Sequence, residues 1–150
     1  MGEINYFSED VPYQLIRSES ITKWLHHILS QEHFTLESLN YIFCSDEYLH
    51  KINVEYLNHD TYTDIITFDN SETEHTIEGD IFISVDRVSE NASVVNTTFE
   101  DELHRVMAHG LLHLLGQGDK TEEDKKMMSE KEDRCLSLRS QFLNEMKRST

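Results

Sequence analysis

The sequence has 150 residues, 37% of them hydrophobic and 28% charged, with a formal net charge of −16. This composition fits one globular domain, residues 1–150, large enough to bury a core, and it excludes a disordered chain. No apolar run approaches the roughly 18 residues a membrane span needs, and Cys44 and Cys135 form no Cys-x-x-Cys pair that would bind zinc through thiolates.

Met1-Gly-Glu-Ile-Asn5 has no basic region ahead of an apolar one, so no secretory signal is expected, and two reduced thiols fit a cytoplasmic protein. Ile4–Phe7 predicts a short strand. Ser20 is the expected cap of a helix carrying Ile21, Trp24, Leu25, Ile28 and Leu29 on one face. Leu39–Cys44 is rich in strand formers, and Ser45-Asp46-Glu47 opens a helix continued by Leu49, Ile52 and Tyr56. Asp64–Phe68 and Asp80–Ser84 predict two strands joined through the polar stretch Asp69–Gly79 as an antiparallel hairpin. A short helix is expected from Asp86, with Val88, Ala92 and Val95. Thr98-Phe-Glu-Asp101 resembles a capping box and opens a helix whose apolar face holds Leu103, Val106, Met107, Leu111 and Leu114. Thr121-Glu-Glu-Asp124 starts a last long helix with Met128, Cys135, Leu138 and Phe142 inward. About four strands and five helices in mixed order predict an α+β fold, a mixed sheet covered by helices.

The strongest chemical signal is His109-Gly-Leu-Leu-His113-Leu-Leu-Gly116-Gln-Gly-Asp119. Residues four apart on a helix share a face, so the two imidazoles can converge on one ion. Gly116 can end the helix in a left-handed conformation, and Asp119 then approaches from the following loop. His109, His113 and Asp119 make three ligands, and a zinc site with a fourth position open for water is catalytic in type rather than structural. The His-x-x-x-His pair alone is a weak signal; glycine at +7 and a ligand at +10 give it weight. Both histidines lie at the margin of the apolar stripe, where a helix can border a cleft. Two neutral imidazoles and one carboxylate leave a zinc site near +1, so the ion is a weaker Lewis acid than with three histidines, and harder metals compete better. Gly110 occupies the position where His-Glu-x-x-His peptidases carry their general base, which argues against a metallopeptidase. The same glycine can serve close packing against a neighbouring element.

Three blocks resemble the YbeY family of bacterial ribosomal-RNA maturation factors. They are His109–Gly116, the pair Ile52-Asn53-x-x-Tyr56 and Thr63-Asp64-Ile65-Ile66-Thr67-Phe68, and Gly79-Asp80-Ile81-x-Ile83-Ser84. The resemblance implies a metal-dependent endoribonuclease specific for single strands. It implies a role at the 3′ end of small-subunit (16S) ribosomal RNA and in ribosome quality control, with that RNA and the small ribosomal subunit as partners. His109 and His113 match two metal-binding histidines of the family; its third ligand, a histidine, is Asp119 here. The family's arginine after the tyrosine of the second block is Leu57, which would shift a phosphate-binding role to Arg87, Arg105 or Lys120. Asp64 and Asp80 are expected to bind turn amides, Asp64 being the better candidate to orient a group behind the ligands. No catalytic side chain is assigned, and neither a membrane nor a small-molecule cofactor is expected. The alternative is a non-catalytic ribosome-assembly factor with a structural metal. The acidic balance favours that alternative, since phosphates repel such a surface. Eight of the 13 cations, however, fall at or after Lys120 among only seven acids.

Overall fold

The computed structural model describes residues 2–148. The elements run β1 (Glu3–Ser8), α1 (Ser18–Gln31), β2 (Thr35–Cys44), α2 (Asp46–Leu57), β3 (Ile65–Asp69), β4 (Thr76–Ser84), α3 (Val85–Val94), α4 (Phe99–Leu114) and α5 (Glu122–Arg148). The fold is α+β, with a mixed sheet ordered β1-β2-β4-β3. β1, β2 and β4 are parallel, and β3 closes one edge antiparallel to β4, which is the expected hairpin.

Alternation along the strands sorts side chains to the two faces. Leu39, Tyr41 and Phe43 of β2 and Ile77, Ile81 and Ile83 of β4 form the main core with Trp24 of α1 and Leu103, Met107 and Leu111 of α4. On the other face Leu49 of α2 packs with Cys44 and Ile66, flanked by Phe68 and Phe82. Each buried aliphatic side chain contributes about 1.5–3 kcal/mol, so the first cluster dominates stability and fixes α4 on the sheet. The Tyr41 hydroxyl donates to the Met107 carbonyl at 3.0 Å, pinning that register.

The helix α5 lies across α1 and α4 and is tied down by polar bonds. Trp24 Nε1–H donates to the Cys135 carbonyl at 2.7 Å. Arg139 donates to His104 Nδ1 at 2.8 Å and pairs with Asp101 at 3.0 Å. Met128 and Cys135 face inward as expected, whereas Leu138 and Phe142 are only partly buried.

Local departures from the sequence reading have local causes. Ser45 and Thr98 do cap α2 and α4, each accepting from an amide three residues on. The carboxylate of Asp101 turns to Arg139 instead, so only the threonine half of the capping box is made. Ser20 is no cap: it is buried inside the first turn of α1, which starts after Arg17 in a left-handed conformation (φ 57°). The Arg17 guanidinium pairs with Glu100 at 2.5 Å, and no side chain caps this helix start. Strands β2 and β4 begin earlier than their apolar runs, at Thr35 and Thr76, because the two pair with each other there.

Burial pushes the His104 imidazole down from 6.5 to about 4, helped by the adjacent Arg139. Between those pH values the unfolded chain holds a proton that the folded chain refuses. Stability is therefore lost as pH falls through this window, by up to about 3 kcal/mol. In His104→Gln, whose carbonyl can still accept from Arg139, denaturant unfolding at about pH 7 and pH 4.5 should show this loss reduced relative to the unsubstituted chain.

Candidate metal centre

The metal motif occupies the last turns of α4 and the loop after it. Gly110 faces the sheet, where a Cβ would stand 2.8 Å from Ile65 Cδ1 and 3.1 Å from Ile81 Cδ1. The absence of a side chain lets the helix sit this low on the sheet. The helix ends in a Schellman motif: Gln117 N–H donates to Leu112 O and Gly116 N–H to His113 O, both at 3.0 Å. Gly116 takes φ 103°, which a side chain would strain. The reversal returns Asp119 to the histidines.

Asp119 Oδ2 lies 3.4 Å from His109 Nε2 and 3.4 Å from His113 Nε2. One donor atom from each of the three residues falls within 4.8 Å of the others. Bonds of about 2.0–2.1 Å at tetrahedral angles give donor–donor edges of about 3.3 Å, so two edges of this triangle already match a zinc site. Two imidazoles and a carboxylate are a donor set that zinc accepts. The sequence-predicted ligands are thus brought together, partly buried, at the border of a cleft.

One residue that sequence reasoning missed stands behind them. Glu132 of α5 is buried and accepts from His109 Nδ1 through Oε2 at 2.7 Å. Its Oε1 accepts from Arg105 Nη1 at 2.8 Å. Arg105 also pairs with Asp133 at 2.6 Å. The only available signal was that Glu132 falls four residues after the inward Met128 and three before the inward Cys135, on the buried side of α5. The Glu132 carboxylate raises the His109 imidazole from its ordinary value, outweighing the opposite effect of burial.

The cleft encloses about 760 Å³ between α4, the loop after α2, β3 and α5. Leu57 lines it, as do Asn53 and Thr63, and the carboxylates Asp64 and Glu102 face it. Burial pushes Asp64 upward, and burial together with Asp64 does the same to Glu102. Of the three cations considered from sequence, Arg105 and Lys120 line the cleft. Arg87 does not; it pairs with Asp46 at 2.6 Å and lies 5.7 Å over the Tyr62 ring. Among the described residues, Lys120 is the only one of the C-terminal cations in the lining. Asp80 lies on the opposite sheet face, bonded to Asn40 at 2.9 Å.

The chain is similar to known proteins over nearly its whole length. The family model described as Endoribonuclease YbeY matches residues 4–139. A protein named Endoribonuclease YbeY from Cytophaga hutchinsonii is 58% identical over 136 residues, 91% of this chain and 95% of that protein. One of the same name from Christiangramia forsetii is 49% identical over 137 residues, covering 91% and 94%. The solution structure of TM1509 from Thermotoga maritima superposes with a TM-score of 0.68 at 26% identity, over 95% of this chain and 93% of that one. Among the described residues no helix is long and apolar enough to cross a membrane. A matched family model across nearly the whole sequence, and relatives this similar over nearly their full lengths, mean that the chain belongs to the YbeY endoribonuclease family.

Proposed function

We propose that this protein is a metal-dependent endoribonuclease that cuts single-stranded RNA. Its place is the maturation of the 3′ end of 16S ribosomal RNA and ribosome quality control, on the small ribosomal subunit in the cytoplasm. His109, His113 and Asp119 hold one zinc ion. Support comes above all from one coincidence: in a chain of this family, the three donors border the cleft at 3.4 Å from one another along two edges. When bound, zinc supplies Lewis acidity toward phosphoryl oxygens and lowers the pKa of a water ligand.

The chain's own residues do the rest. Asp119 partly neutralises the cation and so limits its acidity. Arg105, held at two points, and Lys120, exposed on the rim, supply the positive charge that a phosphodiester needs beside so acidic a protein. Gly110 leaves no general base next to His109 on the helix, which separates this site from peptidases.

Purified protein, freed of contaminating nucleases, should cleave a single-stranded RNA, stop on exhaustive chelation and resume with added zinc. Cleavage indifferent to chelation rejects the assignment. One observation favours a second reading, a non-catalytic assembly factor with a structural metal. Leu57 lies in the cleft lining at the position of the family's arginine, which leaves an apolar surface there. Zinc-loaded protein that binds RNA without cutting it establishes that reading instead.

A further inference from the structure

The two nitrogens of His109 serve different partners. Nε2 faces Asp119 at 3.4 Å, and Nδ1 faces Glu132 at 2.7 Å. An imidazole binds a metal through a nitrogen that carries no proton, so the proton must reside on the other ring nitrogen. A free carboxylate can only accept, so Glu132 requires that proton to be on Nδ1. The helix α5 also fixes the ring's rotation, because the 2.7 Å contact restrains the plane in which Nε2 points.

The rest of the Glu132 environment shows what its burial is for. The residue is 8% exposed, and burying a carboxylate is costly unless each oxygen finds a donor. Oε2 has His109 and Oε1 has Arg105. A simple clamp between α4 and α5 does not need this arrangement. Asp133, far more exposed, already gives Arg105 a partner at 2.6 Å, and Arg139 joins the same helices through His104 and Asp101. What Asp133 and Arg139 do not provide is a contact with His109.

We propose that Glu132 is a positioning residue for the metal centre, holding His109 in the Nδ1–H tautomer with Nε2 aimed at the ion, and holding Arg105 in place at the cleft wall. The proposal rests on His109, His113 and Asp119 being the ligands. It makes metal binding and the seating of α5 on α4 one coupled event, since the same carboxylate serves both.

The test compares zinc affinity, measured by competition with a chromophoric chelator, in the full-length chain and in Glu132→Ala, Asp133→Asn and His113→Ala. Removing a carboxylate behind a histidine ligand typically weakens metal binding about 10–100-fold. Glu132→Ala should show a loss of that size. Asp133→Asn, which disturbs only the second partner of Arg105, should bind within about twofold of the unsubstituted protein. His113→Ala should lose stoichiometric zinc. Should Glu132→Ala match the unsubstituted affinity while His113→Ala loses zinc, the positioning role is overturned and the ligand set stands. Should His113→Ala also bind normally, both fall together.

A spectroscopic measurement on the unsubstituted chain covers the case in which Glu132→Ala does not fold. Long-range 15N–1H spectra of the metal-free protein, taken at alkaline pH where the ring is neutral, should give the Nδ1–H form for His109. The Nε2–H form at that residue overturns the proposal without any variant.

Discussion

Replacing His113 with alanine should remove stoichiometric zinc and RNA cleavage together while the fold survives. The His113 side chain is 34% exposed at the edge of the cleft, so truncating it empties little of the core. On the proposed assignment, by contrast, a bound ion loses one of three protein ligands. A bound metal contributes several kcal/mol of charge stabilisation to phosphoryl chemistry, so cleavage should fall on the order of 10³-fold or more. A second readout does not depend on activity. Zinc at about 100 times its dissociation constant stabilises a folded protein by roughly 2.7 kcal/mol, which for a chain of this size raises the melting temperature by roughly 5–10 °C. The unsubstituted protein should show that rise, and His113→Ala should not. Undiminished cleavage by the variant would falsify the ligand assignment. A rise in melting temperature equal to that of the unsubstituted chain would place the ion elsewhere.

The convergence of His109, His113 and Asp119 was legible because its geometry is local. His109 and His113 are one helical turn apart, and Gly116 with its positive φ turns the chain so that Asp119 follows within ten residues of the first histidine. Periodicity likewise identified the faces of α1 and α4, and serine and threonine marked the starts of α2 and α4. Glu132 was not legible, for a physical reason. It lies 23 residues beyond His109 on a charged helix, and although its spacing from Met128 and Cys135 puts it on the buried side, nothing in the run Glu130-Lys-Glu-Asp-Arg134 says that its partner there is a histidine of α4. The Asp101 carboxylate was misplaced for the same reason, since its partner Arg139 arrives from a distant segment. Strand starts at Thr35 and Thr76 escaped notice because each extension carries a single apolar residue, Leu36 or Ile77, among polar ones, and pairing between the two segments extends both strands. The sorting of cations was also tertiary: Arg105 and Arg87 are equally basic in sequence, and only the fold puts the first in the cleft and pairs the second with Asp46 away from it.

Gly110 decides whether this scaffold can be given the general base of a peptidase, and Gly110→Glu should fail by unfolding rather than by gaining activity. The Cβ alone would meet Ile65 Cδ1 at 2.8 Å and Ile81 Cδ1 and Cγ2 at 3.1 Å, all beneath the helix. Overpacking of this kind costs about 1–3 kcal/mol, and an unpaired carboxylate forced into the same apolar layer costs several more. Together these approach the roughly 5–15 kcal/mol that holds a typical domain folded. Gly110→Ala separates the two costs. Alanine gains about 1 kcal/mol over glycine in a helix interior, and the clash is with the flexible end of Ile65, so a net loss of about 1 kcal/mol is expected. Adding Ile65→Val deletes the atom nearest the new methyl. Denaturant unfolding of the four proteins in this cycle should give a favourable coupling of about 0.5–2 kcal/mol between positions 65 and 110. Soluble, cooperatively folded Gly110→Glu, or no coupling with Ile65, would mean that α4 rides higher on the sheet than these contacts require. The two histidines would then be held by the loop of Asp119 and by α5, not by the close seat that a missing side chain creates.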